Sequence, residues 1–396
     1  MISIPIALHA ASTPVSGVPD SVASSHDHFV FRTVRDDPMR LLVTGASGYV
    51  GSRLVCDLLA RGHDVVVTSR RPESLRRFSW YEQVTPIQMD ADDPYSPGEA
   101  LAGAGTIDAL YYLVHGIGQS DFHNTDIKAA RHVARAARDA GVGRIVYLGG
   151  FVPEGDREDL SDHLRSRAEV GDALRLADGP DLVWLRAAVI LGAGSTSFEI
   201  IRYVADRLAV IPEPSWIDNP MDPIAVRDVI HYLAAVSDRQ IPAGAYDIAG
   251  PDVGARYGSV LGEYLRAIKQ PRVRVPLPFV NSRLAARVTG RLVPVPTSLT
   301  VDLVSSLSHP MSASEHKIRE LVPDPEGGLT PMRVAVMSSV HTNAPRPVCE
   351  LADPHHLADT DPQWAGGDMM RAWRRVGSVV GATAGGVRGV VSLLTG

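Results

Sequence analysis

Three glycines and a pair of arginines are the residues of this chain whose types and spacing point most directly to chemistry. Gly45, Gly48 and Gly51 stand in the spacing G-x-x-G-x-x-G. Such a set permits a tight turn, lets backbone approach a diphosphate without a Cβ in the way, and packs a helix closely on a strand. The N–H groups freed there, at the positive end of a helix, suit phosphates. The turn therefore predicts dinucleotide contacts from Gly45, Ser47, Gly48, Tyr49, Val50 and Gly51. About 20 residues on, an NAD site usually offers an acid to the ribose 2′-hydroxyl. Here that place reads Ser69, Arg70, Arg71, with no carboxylate. Two guanidiniums and a hydroxyl suit a 2′-phosphate that an acid would repel, so NADP(H) is the expected cofactor, with NAD the alternative.

The elements that must position these residues are legible around them. Met39 to Thr44 is an apolar run of strand length that stops at Gly45. From Val50 the apolar residues Leu54, Leu58 and Leu59 recur at helical spacing, Arg61-Gly62 ends the helix, and Val65–Thr68 is a second strand. Strand, glycine turn, helix and strand make one βαβ unit, and its turn sits where such units bind dinucleotides. The alternation continues. Gln83–Asp90 reads as a third strand, with Asp90 where such folds place an acid near the adenine. Ala109–Val114 reads as a fourth strand, followed by the loop His115–Ser120. A helix is predicted from Phe122 to Ala140, a fifth strand over Arg144–Leu148 and a helix from Leu164 to Ala177, and a sixth strand begins at Leu182. This predicts an α/β, Rossmann-like, doubly wound parallel sheet covered on both faces.

After Gly192 the rhythm loosens. Helices are predicted at Ser197–Leu208, Val229–Ala235 and Tyr257–Ile268, with strands at Pro223–Val226 and Tyr246–Ala249. Pro271 to Pro296 reads as proline-broken, with shorter helices to Ser339. The expected division is a disordered arm (1–38), a nucleotide-binding domain (39–192), a smaller substrate-side lid subdomain (193–340), a polar linker (341–366) and a tail (367–396). In the tail Gly377, Gly381, Gly385 and Gly389 recur every four residues. That stripe and Arg371, Arg374 and Arg375 fit either contact with a membrane surface or a partner helix, or a loosely packed tail. The linker gathers Cys349, Glu350, Asp353, His355, His356, Asp359 and Asp361. They read as a flexible polar segment, with no metal site expected.

The 396 residues suffice for one large domain or two. Hydrophobic content of 45% and charged content of 21% suit a globular protein. A net charge of −6 gives no reason to expect nucleic-acid binding. The cysteines, Cys56 and Cys349, make neither a disulfide framework nor a zinc motif, and Cys56 reads as core filler. Together these features point to a bacterial cytoplasm.

TGASGYVG (Thr44–Gly51), YYLVHGIG (Tyr111–Gly118), RIVYLGG (Arg144–Gly150), DHLRSRAEVGDALR (from Asp162) and the Gly250–Asp252 box together resemble a known family. From Met39 to Ser339 the chain resembles an atypical short-chain dehydrogenase/reductase, of the NmrA-like or NAD(P)H-binding epimerase type. The resemblance implies a nicotinamide cofactor and a small-molecule substrate. Catalytic members carry a Ser after the fifth strand and a Tyr-x-x-x-Lys pair on the next helix. Here the serine place reads Gly149-Gly150, and the Tyr and Lys places read His163 and Arg167. His163, or His115 past the fourth strand, is the candidate proton donor, since an imidazole can exchange a proton near neutral pH. Arg167 could hold ribose hydroxyls, and as a neighbouring cation it would disfavour imidazolium. Tyr111 and Tyr112 read as core. Two functions follow as expectations: a reductase passing hydride from NADPH to a carbonyl, conjugated alkene or quinone-like acceptor, and a non-catalytic NADP(H) sensor or assembly factor.

Overall fold

The computed structural model describes residues 37–116, 122–153, 156–341 and 344–372. Most of the expected arm and of the glycine-striped tail lie outside the described residues, as does part of the loop after His115.

The first half alternates strands with helices, except that β2 and β3 are joined by short 3-10 turns alone. Strand β1 (Arg40–Val43) leads to α1 (Tyr49–Ala60), β2 (Asp64–Ser69), β3 (Thr85–Gln88), α2 (Ser96–Ala104), β4 (Ala109–Tyr112), α3 (Phe122–Asp139), β5 (Arg144–Gly150), α4 (Asp162–Leu174) and β6 (Asp181–Ala187). After a two-residue β7 (Ile190–Leu191) come α5 (Thr196–Arg207), β8 (Val210–Glu213), β9 (Ile224–Ala225), α6 (Val226–Ala235) and β10 (Gly244–Asp247). The chain continues through α7 (Tyr257–Ile268), β11 (Val273–Pro276), α8 (Ser282–Leu292), α9 (Thr297–Ser306), α10 (Ile318–Leu321) and α11 (Met332–Val340). Seven parallel strands form the main sheet in the order β10-β6-β5-β4-β1-β2-β3. The fold class is the one the sequence predicts.

Strand alternation builds two cores. Leu41 and Val43 of β1 face α1 and α6 with Leu54, Leu58, Val229 and Leu233. Leu42 points to the other face, where Val133, Ala137, Ala168 and Leu174 lie on α3 and α4. Tyr111 and Tyr112 go to opposite faces, each essentially buried, as core residues. At its far end α1 stops as its sequence dictates. Gly62 takes a positive φ of 88°, and the N–H groups of Gly62 and His63 donate to Leu59 and Leu58.

Two expectations fail past residue 270. The proline-broken stretch contains β11 and the whole of α8, because its prolines fall at element ends and leave Ser282–Leu292 free to coil. The polar linker, over its described residues 344–366, is not a loose segment. It is a strap packed across the start of α1, with His355 and Asp361 buried. Arg53, with its side chain only 3% exposed, donates to both Asp361 oxygens at 3.0 and 2.8 Å and to the carbonyls of Pro354 and His356. Cys56 does pack against the core, but it is also joined to Cys349 by a disulfide that its sequence does not announce. Composition hides this strap because Asp361 and Cys349 find partners some 300 positions away.

Candidate dinucleotide and acceptor site

Consecutive strands turn back between β1 and β4, which makes the crevice beyond their carboxyl ends the switch point of the sheet. Thr44 fixes the two strand ends together. Its N–H and Oγ donate to the Tyr111 carbonyl, and its Oγ accepts from Leu113 N–H at 3.0 Å. The glycine turn fits this crevice only without side chains. Gly45 has φ of 68°, and a Cβ there would stand 2.6 Å from the Leu113 carbonyl oxygen. A Cβ on Gly51 would stand 2.3 Å from the carbonyl oxygen of Gly45. Gly48 N–H donates to that same oxygen at 2.9 Å. Helix α1 then starts with no side-chain cap and no acid in its first turn, so its positive end faces the crevice unneutralised.

Gly45, Gly48, Tyr49, Val50 and Gly51 line a cavity of about 270 Å³, and His115, His163 and Arg167 line it too. The turn and all three candidate polar residues thus share one space. Ser47, exposed, belongs to the turn but not to that lining. Arg70, Arg71 and Asp90 stand outside it. Ser69 pairs with Gln88 across β2 and β3, so all three follow adjacent strand ends, the place for the adenosine end of a dinucleotide. Both arginines are exposed, and Asp90 is turned locally toward Asp92 N–H.

Each wall of the cavity has a physical support. Gly116 N–H donates to the buried Asp126 at 2.7 Å, which pins the segment carrying His115. Arg167 donates from Nη1 to the Leu148 carbonyl, while its own carbonyl accepts from the Tyr147 hydroxyl, so α4 is docked on the end of β5. Gly149 cannot be a serine here, since a Cβ would meet the Trp184 indole at 2.3 Å. Half-buried His163 has its Nδ1 enclosed without a protein partner. Burial, helped by Arg167, pushes its pKa down to about 3. The atoms packed round the His115 ring, with Arg167 and His163 adding, also push its pKa well down. His115 is exposed at the rim, and solvent moderates that push, so His163 is the more firmly neutral. At neutral pH both rings offer an N–H, and neither is an imidazolium.

Sequence reasoning missed the far wall. Ser195, Thr196 and Ser197 bring the start of α5 into the cavity, and Tyr257, Ser306, Leu307 and Met311 close it from the lid. A Ser161–Ser306 hydroxyl pair at 2.8 Å ties α4 to α9. Only the position of Ser195 before an apolar helical repeat signals any of this.

Residues 45–175 match the NAD(P)H-binding family model. This region is an NAD(P)H-binding domain. The resemblance to atypical short-chain dehydrogenase/reductases holds for that domain and for the fold. An uncharacterized protein of Mycobacterium tuberculosis is 30% identical over 251 residues, 62% of this chain and 26% of the relative. The chain therefore spans about a quarter of the length of that curated relative. A 3-beta-hydroxysteroid dehydrogenase of Mycolicibacterium neoaurum is 32% identical over 123 residues, 29% of this chain and 33% of the relative. Among solved structures, the Bordetella bronchiseptica enzyme WbmH in complex with NAD+ superposes with a TM-score of 0.55 at 16% identity, covering 76% of this chain and 96% of that one. That likeness concerns the fold. Among the described residues no helix is long and apolar enough to cross a membrane.

Proposed function

We propose that the chain is an NADPH-dependent oxidoreductase acting on a small carbonyl acceptor. The observation that carries this reading is the single cavity shared by the phosphate turn and by His115, His163 and Arg167. NADPH would supply hydride. Gly45, Gly48 and the uncapped start of α1 would hold its diphosphate, and Arg70 and Arg71 a 2′-phosphate. Arg167, already fixed to β5, would hold the ribose. Neutral His163 would donate an N–H to the acceptor oxygen as charge develops there, as neutral imidazoles do in other enzymes. The proton that completes the alcohol would come from water at the open mouth. That a partial relative is a 3-beta-hydroxysteroid dehydrogenase supports an oxidoreductase reading.

Calorimetry with NADPH and NADH, followed by NADPH oxidation with carbonyl acceptors, tests the reading. Absence of heat with both nucleotides would overturn it. Reversing the two charges with Arg70→Glu and Arg71→Glu should weaken NADPH by tenfold or more, about 1.4 kcal/mol, and leave NADH within about a factor of three. Equal losses for both nucleotides would remove the NADP assignment.

One observation favours a second reading, a non-catalytic NADP(H) sensor. The Arg53–Asp361 pair and the disulfide bind the C-terminal strap to the helix that opens the cofactor turn. The tail beyond it would then report occupancy to a membrane surface or a partner helix. His163→Ala separates the two: an enzyme loses turnover while keeping NADPH binding, whereas a sensor is indifferent. A cytoplasmic setting suits a nicotinamide enzyme. Thiols are kept reduced there, so persistence of the Cys56–Cys349 bond in cells would tell against it.

A further inference from the structure

Beyond Tyr257 the structure contains a second chamber that the cofactor chemistry does not use. It measures about 360 Å³, within the range of small-molecule sites. Ile200 and Val204 of α5, Ile211 of β8, Leu261 of α7, Val304 of α9 and Trp216 form much of its wall, and no charged side chain lines it. Ile211 and Val304 are almost fully buried, at 1% and 4% exposure. Leu284 and Val288, at 56% and 58% exposure, are successive turns of α8 at its open side. Val189, Ser197, Tyr257, Leu303 and Leu307 line both this chamber and the cavity of the histidines, so the two spaces share one wall. Apart from Ser197, Tyr257, Thr289 and Trp216 the wall is apolar, and without a charge it offers little to a sugar or a nucleotide, most of whose hydroxyls and phosphates would be buried unpaired. Its contribution to binding is the removal of hydrocarbon from water.

We propose that this chamber receives the hydrocarbon body of the acceptor, whose single carbonyl head passes Tyr257 into the cavity lined by His115 and His163. The proposal rests on the oxidoreductase reading for what happens to the head, and on the chamber alone for what binds the body. In the reaction the carbonyl carbon gains hydride from NADPH and its oxygen a proton from water, giving the alcohol and NADP+.

A series of 2-alkanones lengthened from four to about fourteen carbons tests it on the full chain. Each methylene buried in the chamber should tighten binding about three- to fourfold until the chamber is full. Emission of Trp216, isolated by comparison with Trp216→Phe, reads binding without cofactor. Oxidation of NADPH reads turnover. Val204→Trp, which fills the chamber, should weaken the longest ketone at least tenfold and spare butanone. Val288→Glu makes the same test from an exposed position where folding is not at risk. A steroid ketone separates a rigid body from a flexible one, and the tighter ligand identifies the class. Affinity independent of chain length, with no steroid binding, would overturn the proposal. So would a dimer that Val288→Glu dissociates without any effect on ketones, which would give the face to a second copy. Length-dependent quenching without NADPH oxidation would keep the chamber and remove the reductase reading; turnover of short ketones with a flat series would do the reverse.

Discussion

A neutral imidazole distinguishes the centre of this cavity from a tyrosine–lysine pair, and its charge state has a consequence for stability. Burial, with Arg167, brings His163 from the ordinary 6.5 to about 3. Between those values the unfolded chain binds a proton that the folded chain does not. Stability therefore rises with pH across that window, is fully present above pH 6.5 and is lost as pH falls toward 3. His163→Gln should flatten this acid limb, so that the urea midpoint of the variant falls less than that of the wild type from pH 6.5 to about 4. Parallel acid limbs would mean that His163 takes up its proton as readily in the folded protein as in the unfolded chain, and the neutrality that burial imposes would fail. The same neutrality predicts that no pKa near 6.5 belonging to His163 shapes the profile of turnover.

At the scale of elements, two segments hold the cofactor helix, and they differ in how they reveal themselves. The βαβ unit is local: Gly45, Gly48 and Gly51 sit within one turn, and the periodicity of α1 needs no distant partner to be read. The strap is nonlocal. Asp361 means nothing in sequence until it meets Arg53, and Cys56 looks apolar until Cys349 reaches it. Likewise Tyr257 opens a helix whose pattern was legible, and Leu307 follows the end of α9, but only packing of α7 on α5 and of α9 on α4 brings them to the cavity. His163 and Arg167 were legible by position, whereas their environment was not. The Arg53–Asp361 pair gives the sharpest test at this scale, because both side chains are 3% exposed. Asp361→Ala leaves a buried guanidinium with only carbonyls for partners and should cost about 3–5 kcal/mol in urea unfolding. Replacing both, with Arg53→Met and Asp361→Leu, should recover much of that loss. A near-neutral single substitution would show that the strap does not hold the helix.

Over the whole molecule, the disulfide joins positions 293 residues apart, one on the helix that opens the cofactor turn and one on the strap. Cross-links of this span restrict the unfolded chain, and their removal typically costs about 2–5 kcal/mol. Cys349→Ser should therefore lower the unfolding free energy by an amount in that range. The strap also touches the turn's surroundings: Ala193 N–H donates to the His355 carbonyl, and Glu199 accepts from Gly194 and Gly366 N–H groups beside the start of α5. Loosening it should reach the cofactor. If reduction weakens NADPH binding by some factor, linkage requires NADPH to disfavour reduction by the same factor. Dissociation constants of the oxidised and reduced protein give the first factor. Equilibration with a thiol buffer, with and without saturating NADPH, gives the second. Matched factors of three or more are the expected result; an unchanged dissociation constant on reduction would leave the disulfide as a staple with no influence on the site.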